Sequence, residues 1–212
     1  MNLESGEIRA RGAAARLTWA VAMAPKVPGG PCGDGFILLR DGDRVVFALA
    51  DGAGSGPIAK AASDACLDEV GKTGLADLHV LFERCHRRLI GSRGAALALA
   101  IIDLAEGRLD WAALGDIDGA VFPELGSERP LISAIQRGGT LGHGMPDIHP
   151  QHHDLGPGQM VALSTDGVSR RYRDQRRVDT APDAFAASCI ARFGRDGDDR
   201  TFAALSLERT AA

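Results

Sequence analysis

Apolar residues recur along this chain with two different spacings, and the switches between them lay out its elements. Leu17-Thr-Trp-Ala-Val-Ala-Met-Ala24 reads as a first strand, followed by a Pro/Gly-rich loop over residues 26–35. Residues 36–39 and 45–50 predict a β-hairpin around the tight turn Asp41-Gly-Asp43. The second of these strands, Val45-Val-Phe-Ala-Leu-Ala50, is almost wholly apolar and is expected to be covered on both faces. At Gly56-Pro57 the spacing becomes helical, with Ile58, Ala61, Ala62, Ala65, Cys66 and Val70 recurring on that spacing and Pro57 suited to a first turn. A second helix is predicted over about residues 75–90, its stripe being Leu78, Leu81, Phe82, Cys85 and Leu89. Ala95–Asp103 and Arg108–Leu114 predict another hairpin through Glu106-Gly107. Short strands over residues 119–122, 131–135, 160–165 and 201–207, and a helix over Pro182–Phe193, complete the reading. Hairpins outnumber strand–helix–strand crossovers, so the expected class is α+β, with antiparallel sheets covered by helices.

Composition narrows the function classes. With 212 residues, 45% hydrophobic and 25% charged, the chain can bury one substantial core, and a single domain over 1–212 is expected. The net charge of −4 argues against nucleic acid. The one dense cationic stretch, Arg170, Arg171, Arg173, Arg176 and Arg177, reads as a solvated helix end or loop, or as a docking patch for an acidic or phosphorylated partner. Four scattered cysteines without a CxxC pair suggest reduced thiols. No apolar run is long enough to span a bilayer, and Glu4 and Glu7 weaken a signal-peptide reading of the N-terminal segment, so a cytoplasmic protein without membrane partners is expected.

The candidate chemistry lies in aspartates at the ends of apolar strands. Asp51 ends residues 45–50 and precedes Gly52-Ala-Gly54-Ser-Gly56. Asp166 follows residues 160–165 and precedes Gly167. Asp34 sits between two glycines, and Asp198 and Asp199 stand just before the last strand. Each alone could be a turn former or helix cap. A carboxylate at the end of a buried strand loses hydration and needs a compensating positive charge. Several converging on one place suggest a hard divalent cation held by oxygen, such as magnesium or manganese.

These segments resemble a known family. Ala50-Asp51-Gly52-Ala53-Gly54-Ser55-Gly56-Pro57, Ser164-Thr165-Asp166-Gly167-Val168 and Asp198-Asp199-Arg200-Thr201 resemble the metal-binding motifs of PPM-type metal-dependent protein phosphatases, in particular the SpoIIE branch. The short length, Cys32-Gly33-Asp34, Cys85-His86 and Arg93-Gly94-Ala95 resemble its stand-alone, RsbX-like members. The ordered match runs from about Leu17 to the final strand.

The resemblance implies an αββα sandwich of two antiparallel sheets flanked by helices, with two divalent metal ions, Mn2+ or Mg2+, at one end. Asp51 would bridge both ions, the Gly52 carbonyl would ligate one, Asp166 and Asp198 would complete the second site, and Asp34 would contribute from the opposite side. Asp51 and Asp34 are thus the catalytic candidates, while Asp199 is expected to support the site or cap the strand. The implied reaction is hydrolysis of phosphoserine or phosphothreonine by a water that the two metals activate. The implied partner is a phosphorylated regulatory protein, of the anti-sigma antagonist type, in a stress or sigma-factor partner-switching pathway.

Two features depart from the family pattern. Ala53 and Ser55 stand where many members carry a histidine after the bridging Asp-Gly, and no N-terminal phosphate-gripping arginine is evident. Arg93 is the candidate substrate contact, or else a loop arginine capping the preceding helix. The missing histidine leaves open a second class, a degenerate phosphatase domain that binds a phosphoprotein without turnover. Gly52-x-Gly54-x-Gly56 superficially suggests dinucleotide binding, but Asp68 and Glu69 fall on a helix rather than at the end of a second strand. His143, His149, His152 and His153 crowd a proline-rich stretch read as a solvated loop, with transition-metal binding the alternative. His79 and His86 fall on the second helix without assigned chemistry.

Overall fold

The computed structural model describes residues 1–11, 15–124, 127–174 and 181–209. Its strands are β1 (Asn2–Arg9), β2 (Ala15–Ala24), β3 (Asp34–Asp41), β4 (Arg44–Gly52), β5 (Ala95–Asp103), β6 (Arg108–Leu114), β7 (Asp118–Phe122), β8 (Ile132–Ser133), β9 (Gln136–Arg137), β10 (Gln151–Asp154), β11 (Met160–Ser164) and β12 (Arg200–Arg209). The helices are α1 (Gly56–Thr73), α2 (Leu78–Leu89) and α3 (Pro182–Phe193), with a short 3-10 turn at Arg170–Asp174. One sheet has the order β1-β2-β12-β11-β7-β8 and the other β10-β6-β5-β4-β3.

Strand periodicity explains the layering. In β4, Val45, Phe47 and Leu49 point into the space between the sheets, where they meet Leu17, Val21 and Leu205. The alternate residues Val46, Ala48 and Ala50 face Cys66, Val70, Leu81 and Phe82 of α1 and α2. On the far side, Ala22, Ala162 and Phe202 pack under Phe185, Ala186 and Ile190 of α3. The order helix–sheet–sheet–helix is the αββα sandwich expected from the sequence.

The differences have local causes. Strand β1 lies outside the predicted elements because it presents no apolar face, and all but one of its residues are exposed. It is held by backbone pairing with β2 along its whole length. Helix α2 starts at Leu78 rather than near residue 75 because Asp77 caps it, its Oδ1 accepting from the His79 N–H at 2.8 Å. Strand β9 pairs parallel to β6, the exception to an otherwise antiparallel scheme. The histidine-rich stretch is not all loop, because residues 151–154 form β10 against β6. None of the four cysteines, all of them described, is in a disulfide.

Candidate active site

Strand register decides which carboxylates meet. In the β3–β4 hairpin Asp34 lies directly opposite Asp51. In the other sheet Ser164, the last residue of β11, lies opposite Asp118, the first of β7. Asp166 and Asp116 therefore leave neighbouring strands at the same end. Asp51, Asp116, Asp166 and Asp198 line one cleft of about 520 Å³, together with Ala53, Gly54, Ala96, Gly115, Gly138, Gly139 and Thr140. One carboxylate oxygen from each of Asp51, Asp116 and Asp166 lies within 4.8 Å of the other two.

Both Asp-Gly pairs are glycine for a steric reason. A Cβ on Gly52 would stand 1.9 Å from the Ala59 carbonyl oxygen of α1, and one on Gly167 would stand 1.8 Å from the Asp199 carbonyl oxygen. Each glycine lets a second segment press against the turn that presents the preceding aspartate.

The remaining predicted residues take distinct places. Asp34 is buried, and its Oδ2 accepts from the Thr165 and Thr201 hydroxyls, each at 2.8 Å. It thus ties β3 of one sheet to the β11–β12 end of the other, and it does not line the cleft. Asp199 is buried too, its Oδ1 accepting from the Lys26 N–H at 2.7 Å and its Oδ2 from the Gly33 N–H at 2.9 Å. That pins the Pro/Gly-rich loop at both ends. Asp198 borders the cleft, and its Oδ1 accepts from the Asp199 N–H at 2.9 Å. The Arg93 guanidinium lies against Gly54, with Nη2 3.2 Å from where a Cβ on Gly54 would be.

The electrostatics follow from the crowding. Burial, then the charges of Asp34, Asp166, Asp116 and Asp198, pushes the Asp51 carboxyl up to about 9. Burial raises Asp34 to about 7 against the opposing pull of its two threonine donors. Burial and the neighbouring Asp116 and Asp198 raise Asp166, with Arg195 as the opposing charge. Among the described residues no lysine or arginine forms an ion pair with Asp51, Asp116, Asp166 or Asp198. Converging oxygen donors without a basic partner fit a hard divalent cation.

Asp116 is the residue that sequence reasoning missed. It follows Gly115, whose φ of +89° and tight packing on Ala96 turn the chain after β6. The signal was available, since an aspartate just past an apolar strand is the same feature that singled out Asp51 and Asp166. Asp118, two residues on, has a different fate. It is buried and bound by the Tyr172 hydroxyl at 2.6 Å, by Arg173 Nε at 2.8 Å and by Arg173 Nη2.

That pairing corrects the reading of the arginine cluster. Arg173 is half-buried in an ion pair with Asp118, and Arg170 reaches Asp118 and Gln136, so neither is a free docking cation. Arg171 is exposed, and Arg176 and Arg177 lie outside the described residues. The histidines disperse: His152 Nδ1 meets Asp110 Oδ1 at 2.5 Å, His153 Nε2 lies 3.2 Å from Gln159 Oε1, and His143 Nε2 lies 3.2 Å from the Ser92 carbonyl oxygen. Among the described residues they join no group of three metal-ligating side chains.

An αββα sandwich with carboxylates gathered where strands of both sheets end defines the PP2C class of phosphatase folds. RsbX, solved in complex with magnesium, superposes with a TM-score of 0.83 over 98% of this chain and 100% of its own, at 20% identity. The PP2C phosphatase domain of SpoIIE from Bacillus subtilis superposes with a TM-score of 0.77 over 99% of this chain and 71% of that one, at 16% identity. At the level of sequence, the family model for stage II sporulation protein E (SpoIIE) matches residues 41–199, and the chain belongs to that family. Phosphoserine phosphatase RsbX of Bacillus subtilis strain 168 is 30% identical over 86 residues, a stretch that covers 41% of this chain and only 43% of that relative.

Proposed function

We propose that this chain is a metal-dependent protein phosphatase that hydrolyses phosphoserine or phosphothreonine on a small regulatory protein. The observation that carries the reading is the convergence of Asp51, Asp116, Asp166 and Asp198 on one open cleft, where among the described residues none of them is in an ion pair and Arg195 is the one opposing charge on Asp166. Asp51, Asp166, Asp198 and the Gly52 carbonyl are the expected holders of two ions, Mn2+ or Mg2+, Asp116 joins them, and Asp34, which does not line the cleft, would contribute from behind through water. Bound there, such ions supply an activated water and offset charge on the phosphoryl oxygens. The chain's own residues orient and select. Asp34 keeps the two sheets' carboxylates in register through Thr165 and Thr201. Arg93 is the proposed substrate contact, a guanidinium lying against Gly54, which lines the cleft.

The magnesium complex of RsbX supports the metal class, and its name supports phosphoserine as substrate. The proposed setting is a partner-switching or stress pathway, with a phosphorylated protein of the anti-sigma antagonist type as the proposed partner. Residues 1–212 are proposed to act as one cytoplasmic phosphatase unit.

The test is hydrolysis of p-nitrophenyl phosphate and of a phosphoserine peptide by wild type with Mn2+, by wild type with EDTA, and by Asp51→Asn with Mn2+. Turnover confined to the first sample is expected. Equal turnover in all three refutes the metal mechanism. No turnover in any, with retained peptide binding, supports the non-catalytic phosphoprotein-binding module instead.

A further inference from the structure

We infer that the loop over residues 138–144 is the substrate-positioning wall of the cleft, and that His86 is the positioning residue that fixes this wall beside Arg93. The inference rests on the phosphatase reading and deepens it, by naming what recognises the phosphorylated segment rather than the phosphoryl group alone.

The cleft has two unlike sides. One is the carboxylate cluster. The other is Gly138, Gly139 and Thr140, which bring no charge and almost no side chain. Two consecutive glycines let another backbone approach closely, and Thr140 adds one hydroxyl. An extended peptide suits such a wall, whereas a small phosphate ester seated on the carboxylate side does not need it.

The wall is clasped from behind. Leu141 is fully buried and exchanges two backbone hydrogen bonds with Ala95, at 3.0 and 3.3 Å. Thr140 and Gly144 close a tight turn on themselves, at 3.0 and 3.1 Å. The Gly142 N–H donates to His86 Nδ1 of α2 at 3.1 Å. As acceptor, Nδ1 carries no proton, so the ring's hydrogen sits on Nε2 in the neutral tautomer. Gly142 itself leaves no room for retreat, since a Cβ there would stand 2.5 Å from the Leu89 carbonyl oxygen.

Gly94 joins the wall to the metal turn. Its carbonyl accepts from the Ala53 N–H at 2.9 Å. With φ at +81°, a Cβ on it would come within 2.5 Å of the Leu141 carbonyl oxygen and 2.6 Å of Thr140 Cγ2. Arg93, the preceding residue, leans on Gly54. Gly54, Arg93, Gly94 and Thr140 therefore form one run of contacts whose two ends, Gly54 and Thr140, line the cleft. A shift of the loop changes where Thr140 stands relative to Arg93, while Asp51 stays on β4 and Asp166 and Asp198 stay in the turns beside β11 and β12.

The experiment compares His86→Leu, which removes the acceptor, with His86→Asn, whose Oδ1 can replace Nδ1. For each, kcat and KM are measured with Mn2+ on a short phosphoserine peptide and on p-nitrophenyl phosphate. Binding of the same peptide, fluorescein-labelled, is followed by anisotropy against its unphosphorylated counterpart. His86→Leu is expected to raise the peptide's KM and Kd about fivefold to tenfold, the weight of one hydrogen bond, and to change p-nitrophenyl phosphate kinetics by less than about twofold. His86→Asn is expected to restore both to within about twofold. Thr140→Val alters the wall without touching the clasp and is expected to raise the peptide's KM as well, which keeps the test decisive if His86→Leu fails to fold. Equal changes for peptide and small ester, or an unchanged peptide KM in His86→Leu and Thr140→Val, overturn the inference. So does wild-type protein that does not distinguish the phosphorylated peptide from its counterpart. Wild type that binds the phosphopeptide but hydrolyses neither substrate defeats the phosphatase reading alone, and the anisotropy series then judges the wall by itself.

Discussion

Replacing Asp51 by asparagine tests the electrostatic core of the site through stability rather than activity. Folding raises this carboxyl from an ordinary 3.8 to about 9, first by burial and then by its acidic neighbours. The folded protein without metal therefore holds a proton on Asp51 that the unfolded chain has released. Between those two values its stability falls as pH rises. At about 1.36 kcal/mol per pH unit, and with the repulsion shared among coupled groups, the loss by pH 8 is on the order of 3–5 kcal/mol. The amide of the Asp51→Asn variant has no charge to bury. In EDTA at pH 8 the variant is expected to melt at least about 5 °C above wild type, taking roughly 2–4 °C per kcal/mol for a chain of this size. The gap is expected to shrink towards pH 5, because the cost of taking up that proton on folding falls as the pH approaches the unfolded value of 3.8. Excess Mn2+ narrows the gap: at about a hundred times Kd, binding adds about 2.7 kcal/mol to wild type, or roughly 5–11 °C, and under about 2 °C to the variant. Thermal melts by circular dichroism at pH 5 and pH 8, with EDTA and with Mn2+, give all eight values. A variant less stable than wild type in EDTA at pH 8, or a wild type indifferent to Mn2+, refutes the reasoning.

Three other outcomes are expected. Asp116→Asn should lower Mn2+-dependent hydrolysis of p-nitrophenyl phosphate at least about tenfold, since one of the three clustered carboxylates is lost, while the melting temperature in EDTA stays within about 2 °C of wild type. Gly52→Ala should lower stability by about 1–3 kcal/mol or prevent folding, because its Cβ would overlap the Ala59 carbonyl oxygen, and urea titration reads this directly. Arg173→Ala should cost about 1–3 kcal/mol, since buried Asp118 keeps Arg170 and the Tyr172 hydroxyl, whereas exposed Arg171→Ala should stay within about 0.5 kcal/mol in the same urea titration.

Much of the architecture was legible because apolar spacing is a local property. The hairpin formed by β5 and β6 and the helix α3 fall where the spacing placed them, and Pro57 and Pro182 each open a helix as expected. Strand β1 and strand β10 escaped because neither presents an apolar face. Their order comes from backbone pairing with a neighbour, which leaves no mark on side-chain pattern. Asp116 escaped although it too stands just past an apolar strand, the feature that marks Asp51 and Asp166.

By itself the sequence determined the alternation of strands and helices, the family motifs, and the aspartates at strand ends. It could not say which of those carboxylates share a space. Asp51, Asp116, Asp166 and Asp198 line one cleft, while Asp34, Asp118 and Asp199 turn to hydroxyls, an arginine and backbone N–H groups. The same residue type in the same local setting takes opposite roles because a buried carboxylate's state depends on what charge or donor lies a few ångströms away. Only the packing of two sheets brings those neighbours together, and they come from distant parts of the chain.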